Sequence, residues 1–199
     1  ILCEAETKRY DQAMNSLDSV IRKWPDDAQF YTVKAQVAFQ QKDTVTAEQS
    51  LNQALKVDQY DERIWEMLAM ISLNREDYKA GEEQLTQAIS INKRNASYYV
   101  NRALARYHQR NLRGAMSDYD EAIVVDPKSY IGHFNRGLLR AQVGDDNRAI
   151  EDFNFVLEVE PDNMIALFNR ALMRNNTGDY RGALKDLSAV IKEYPTFWT

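Results

Sequence analysis

The C-terminal half of the chain repeats one arrangement of charged side chains three times. Asn-Arg pairs stand at Asn101-Arg102, Asn135-Arg136 and Asn169-Arg170, and a second arginine follows four residues later, at Arg106, Arg140 and Arg174. An aspartate follows each first arginine at a fixed distance: Asp118, Asp152 and Asp186. The equivalent upstream positions read Lys34, Ala38 and Ser50, then Leu68, Ser72 and Gln84, so arginines and aspartate are lost together. A guanidinium grips a carboxylate through two parallel N–H bonds, so the set reads as a partly buried ion-pair network between two helices. It also reads as an anion site for a phosphate or a carboxylate, because two arginines against one aspartate leave positive charge over. The first reading is favoured, since an anion site gives the aspartate no reason to follow the arginines.

Other chemistry is scarce. The sequence has no glycine-rich phosphate loop, no H-E-x-x-H and no Ser/His/Asp constellation, which argues against an enzyme and against a cofactor. His108 and His133 are a poor metal pair, and the single Cys3 forms neither an internal disulfide nor a zinc site. Glu82-Glu83 and Asp145-Asp146 read as solvated surface and a helix cap. A net charge of −5, spread along the chain, offers no basic face for nucleic acid. No run of about 18 apolar residues is present, so no membrane insertion is expected. A soluble chain, cytoplasmic or periplasmic, is the expectation.

The elements that position these residues follow from a period. Pro127, Pro161 and Pro195 are spaced by 34 residues, and the same step backwards meets Lys93, Gln59 and Pro25. A fixed period of this length marks a helical array in which each unit packs on its neighbours. Full copies span 28–61, 62–95, 96–129, 130–163 and 164–197, after a partial copy at 1–27. Phe197-Trp198-Thr199 would open a further copy, and the opening Ile1 suggests a fragment of one array spanning 1–199. The eighth place of each copy is small (Ala35, Ala69, Ala103, Gly137, Ala171), as is the twentieth (Ala47, Gly81, Ala115, Ala149, Ala183). Small residues there let two helices approach closely. The twenty-fourth place is bulky: Leu17, Leu51, Leu85, Tyr119, Phe153 and Leu187. Tyr10, Tyr78 and Tyr180 also fall on columns read as core.

Capping residues give the helix starts. Asp27, Asp61, Asn95, Ser129 and Asn163 precede the first helices, and Asp43, Asp77, Asn111, Asp145 and Asp179 the second. These predict first helices near 28–41, 62–75, 96–109, 130–143 and 164–177. Second helices are predicted near 11–24, 44–57, 78–91, 112–125, 146–159 and 180–193.

Ala171, Gly178-Asp179-Tyr180, Ala183 and Pro195 stand where one known pattern has small, Gly-x-Tyr, Ala and Pro. On these residues the chain resembles the tetratricopeptide repeat family over essentially its whole length, in a form most similar to bacterial arrays. The resemblance implies an all-α, right-handed superhelix of helical hairpins whose first helices line a concave groove. It implies that Asn101, Asn135 and Asn169 face that groove with Leu104, Tyr107, Ile131, Phe134, Leu138, Ile165, Phe168 and Leu172. Gln36, Phe39 and Gln40, then Arg63, Glu66, Met67, Met70 and Asn74, face it in earlier copies. Asparagine can donate to a peptide C=O and accept from its N–H, so such a ladder would hold an extended backbone. The alternative is that these amides only solvate a helix face. The carboxylate-clamping subtype is disfavoured, because its leading lysine is replaced by Thr32, Glu66, Val100, Phe134 and Phe168. The expected partner is therefore a protein or peptide bound in the groove. A structural role, by self-association as a homo-oligomer or by packing on the chain's own flanking segments, and service as the regulatory arm of a larger enzyme are the other readings.

Overall fold

Helices begin where the sequence supplies a cap. The computed structural model describes residues 2–193, with side chains described from residue 9 to residue 192. Its described residues form eleven helices and no strand: α1 (Leu2–Lys23), α2 (Ala28–Gln40), α3 (Thr44–Val57), α4 (Glu62–Asn74), α5 (Tyr78–Ile91), α6 (Ala96–His108), α7 (Leu112–Val125), α8 (Tyr130–Gln142), α9 (Asp146–Val159), α10 (Met164–Asn176) and α11 (Tyr180–Glu193). Asp27, Asp43, Asp61, Asp77, Asn95, Asn111, Ser129 and Asn163 each accept a hydrogen bond from a backbone N–H of the first turn. Asp179 does the same for Gly182. Asp145 departs from the set: it makes no cap bond, and its carboxylate lies 3.4 Å from Arg148.

The five described second helices from α3 onward match the expected bounds. The first helices stop one residue earlier than expected. Gln41, Arg75, Gln109, Val143 and Thr177 become C-caps, and the next residue turns left-handed: Lys42, Glu76, Arg110, Gly144 and Gly178. The N-terminal expectation needs correction. A helix is expected to start near residue 11, yet α1 runs unbroken from Leu2 to Lys23. Arg9 occupies the capping column there, and arginine offers no acceptor to stop the preceding helix. Phe197-Trp198-Thr199 lies outside the described residues.

The chain forms two compact units, Ile1–Lys93 and Arg94–Thr199. In the first, α2 pairs with α3 and α4 with α5, while α1 packs on α2 and α3 on α4. Its core gathers Ala35, Ala47, Leu51, Ala54, Ile64, Leu68 and Ile71. In the second, α6–α7, α8–α9 and α10–α11 are hairpins, stacked through α7 on α8 and α9 on α10. Its core holds Ala103, Ala115, Tyr119 and Leu139 in one cluster, and Ala149, Phe153, Val156, Ala166 and Met173 in another. The small columns are needed for this approach. A Cβ on Gly137 would stand 3.0 Å from the Phe153 ring and 3.1 Å from Asp152 Cβ. Tyr180 is not core: it is 65% exposed.

Candidate functional site

The helix period divides each first helix of the second unit into two faces. The arginines, four residues apart, look toward the second helix of their own hairpin. Arg102 donates through Nε and Nη2 to the two oxygens of Asp118 at 2.9 and 2.7 Å, and Arg106 adds a bond of 2.8 Å. Arg136 and Arg140 hold Asp152 at 2.7 and 2.8 Å. Arg170 and Arg174 hold Asp186, each at 2.7 Å. The three aspartates are only 2% exposed, and every one meets a two-point arginine fork plus a second guanidinium.

Three members of this arrangement were not visible as such in the sequence. Arg136 turns its remaining nitrogen back to Asp120 on α7 at 2.7 Å, and Arg170 reaches Asn154 on α9 at 2.8 Å. Both contacts span sixteen residues backwards, as the aspartate contacts span sixteen forwards, and that symmetry was the available signal. His133 stacks on Phe155 and places Nδ1 3.2 Å from Asp152; its position three residues before Arg136, on the same helix face, was the clue. Burial opposes charge on Arg136, and hydrogen bonds from it to Asp152 and Asp120 outweigh that effect, so its pKa is raised. The charge left over in the Arg136–Arg140–Asp152 set is thus taken up by Asp120.

The opposite face carries the asparagines. Asn101, Asn135 and Asn169 are all half-buried. Asn169 donates to the Ile165 carbonyl of its own helix at 2.7 Å, whereas Asn101 and Asn135 have no side-chain hydrogen bond among the described residues. Around them Leu104, Ile131, Ile165 and Leu172 are exposed, at 40% or more. Phe134, Leu138, Phe168 and Tyr107 are half-buried. Phe134 and Leu138 lean on the inner core, with the Phe134 ring edge-on to Phe153. Leu104, Tyr107, Asn135 and Leu138 come together around one cavity of about 330 Å³, which Tyr119, Leu139 and Gln142 complete. Ile131, Phe134, Ile165, Phe168 and Leu172 do not line it. The cavity wall contains no charged residue.

In the first unit the same face shows exposed Gln36, Gln40, Met70 and Asn74, with Phe39 and Met67 half-buried. Arg63 folds onto the capping Asp61 at 2.9 and 2.7 Å, and its hydrogen bonds hold the Asp61 carboxyl below its usual range. No group of three or more His, Cys, Asp or Glu among the described residues is placed to hold a metal ion. No described helix is long and apolar enough to cross a membrane.

Family profiles described as tetratricopeptide repeat match residues 4–71, 66–132 and 134–196. The chain belongs to the tetratricopeptide repeat family. No curated protein matches it. Among solved structures it is similar to YrrB, described as a TPR protein with an unusual peptide-binding site, at TM-score 0.79 and 18% identity, over 92% of this chain and 94% of that one. It is similar to Pseudomonas aeruginosa PilF at TM-score 0.80 and 14% identity, over 98% and 89%. A tetratricopeptide repeat protein from Parabacteroides merdae gives TM-score 0.76 and 23% identity, over 86% and 68%. These likenesses establish the fold: an all-α solenoid of helical hairpins.

Proposed function

We propose that this tetratricopeptide repeat protein is a non-catalytic scaffold that binds an extended peptide, or a partner's helix, on the face formed by α6, α8 and α10. Tetratricopeptide repeats serve in general as protein-interaction scaffolds, and YrrB, which shares the fold, is described as binding a peptide. The observation that carries the reading is the meeting of Asn135 with Leu104, Tyr107 and Leu138 around one uncharged cavity. Asn101 and Asn135 hold the backbone of the bound segment through their amides, and the exposed aliphatic residues beside them cover its apolar side chains. Asn169 joins only by giving up its bond to Ile165. The arginines serve the hairpins rather than the ligand, since Asp118, Asp152 and Asp186 occupy them.

The test is affinity capture with the full-length protein, then titration of the identified segment against wild type and the triple variant Asn101→Ala, Asn135→Ala, Asn169→Ala. The variant keeps its helical circular dichroism and weakens the segment by at least tenfold. Unchanged affinity overturns the reading.

A second reading, self-association, draws on α11. Tyr180, Leu184 and Ile191 are exposed and lie four and seven residues apart, on one side of the helix. Light scattering separates the two: a dimer that survives dilution supports assembly, and a monomer at every concentration removes it.

A further inference from the structure

Tyr119 occupies the twenty-fourth place of its copy, a core column that holds Leu17, Leu51, Leu85, Phe153 and Leu187 in the others. Its ring behaves as core and is 4% exposed, yet its hydroxyl has no hydrogen-bond partner among the described residues. The residue lines the 330 Å³ cavity. A polar tip in a core column, unpaired and open to a cavity, leaves hydrogen-bonding capacity there for a bound group.

We infer that this cavity is a specificity pocket for one aromatic side chain with a polar tip, tyrosine first, carried by the bound segment. The inference rests on the proposed groove and names the residue that the groove selects. Leu104 and Leu138 enclose the apolar body of the ring, with Tyr107 beside it. The ligand's hydroxyl pairs with that of Tyr119, while Asn135 and Gln142 at the wall meet the flanking peptide groups. The volume fits this reading, since it lies at the lower end for small-ligand sites, of order 300 Å³, and admits one large side chain rather than several. A charged tip is rejected because the lining offers it no counter-ion. Phenylalanine fits the walls but displaces water from Tyr119 without replacing its hydrogen bond. Burial, with Tyr107 and Asp118 adding to it, pushes the Tyr119 pKa up to about 12, so the hydroxyl keeps its proton and both donates and accepts.

The probes are N-acetyl-tyrosine amide and N-acetyl-phenylalanine amide, titrated into the intact chain with leucine methyls labelled for NMR. The tyrosine amide should shift the methyls of Leu104, Leu138 and Leu139 saturably, with the phenylalanine amide about tenfold weaker. Tyr119→Phe, which keeps the ring and the packing, should bring the two amides within twofold of each other. Leu104→Trp, at an exposed position on the rim, should fill the cavity and abolish both titrations. Equal binding of the two amides to the wild type, no saturable shift, or a preference that survives Tyr119→Phe overturns the pocket. The two proposals fail separately. If the amides do not bind while the triple asparagine variant still loses its identified segment, the pocket alone is wrong. If the amides bind as expected while that variant loses nothing, the groove reading alone is wrong.

Discussion

Where the second unit holds Arg102, Arg136 and Arg170, the first holds Lys34 and Leu68; where it holds Asp118, Asp152 and Asp186, the first holds Ser50 and Gln84. The hairpins are the same length and pack on the same small columns, so the backbone does not require the charges. Ser50 turns its hydroxyl back to Thr46 of its own helix, and Lys34 pairs with Asp18 of the preceding copy. Leu68 is buried. The first unit joins its helices through apolar area and single, more exposed ion pairs such as Lys34–Asp18 and Arg75–Glu48, while the second fixes their register through buried bonds that tie α8 to both α7 and α9. The second arrangement is the fragile one when a partner is lost, because its members are buried together.

That asymmetry predicts the largest effect. Asp152→Ala leaves Arg136 and Arg140 buried without their shared carboxylate and should destabilise by about 3–5 kcal/mol in urea melts. Ser50→Ala, at the same column of the first unit, removes one local bond and should cost about 1 kcal/mol. Equal losses would erase the distinction between the units.

The close-approach columns sharpen it. Gly137→Ala drives a methyl into the Phe153 ring and Asp152 Cβ, and overpacking of that kind costs about 1–3 kcal/mol. At Gly81 of the first unit the added methyl meets the flexible end of Leu73, so Gly81→Ala should be near neutral once the helix preference for alanine offsets the crowding. Thermal melts of the two variants decide it, and a larger loss at Gly81 would contradict the packing assigned to each site.

Much of this was legible in the sequence, for a definite reason. In an array each position is sampled several times, so columns separate packing from caps without an alignment. Columns also fixed which residues share a face, which is why the arginines and aspartates meet at the spacing their recurrence suggests. What stayed hidden was whatever differs between copies or depends on rotamer. His133 has no counterpart in the pattern, Asp120 recurs only as the neutral Asn154, and the bond from Asn169 to Ile165 follows from a side-chain torsion rather than a residue type. Tyr119 read as packing because its column is apolar elsewhere; the single oxygen that distinguishes it carries the pocket. The continuous α1 breaks the period at Arg9, whose side chain offers no acceptor to cap a new helix.

The first unit has its own imperfection. Gln84 buries its side-chain carbonyl oxygen without a hydrogen-bond partner. Gln84→Leu should stabilise by about 1–2 kcal/mol by removing that unsatisfied group, measured as a higher urea midpoint. A loss of stability would mean the amide is satisfied in solution.

Turn chemistry separates the units more weakly. The left-handed residue after each first helix is Lys42 and Glu76 in the first unit, and Arg110, Gly144 and Gly178 in the second. Side chains resist that conformation by about 1–2 kcal/mol, partly offset by the extra freedom glycine has when unfolded. Lys42→Gly and Glu76→Gly should each raise stability by about 0.5–1 kcal/mol, and Gly144→Ala should lower it by a similar amount.

The smallest effect belongs to the caps. Asp43 accepts the Thr46 N–H at 3.0 Å and a bond from the Tyr10 hydroxyl, so Asp43→Ala should cost about 1 kcal/mol. Asp145 stands at the same place in its copy without a cap bond and touches only Arg148, an exposed pair worth about 0.2–0.5 kcal/mol. Acid should expose the Asp43 contribution. Hydrogen bonds from Thr46, side chain before backbone, hold the Asp43 carboxyl below its ordinary 3.8. A carboxyl lowered in the folded state stabilises fully above its unfolded pKa and loses that contribution as pH falls through the lowered one. The gap between wild type and Asp43→Ala should therefore close as the pH drops below that ordinary value. A gap that stays constant into acid would show that Asp43 acts through its shape and not through its charge.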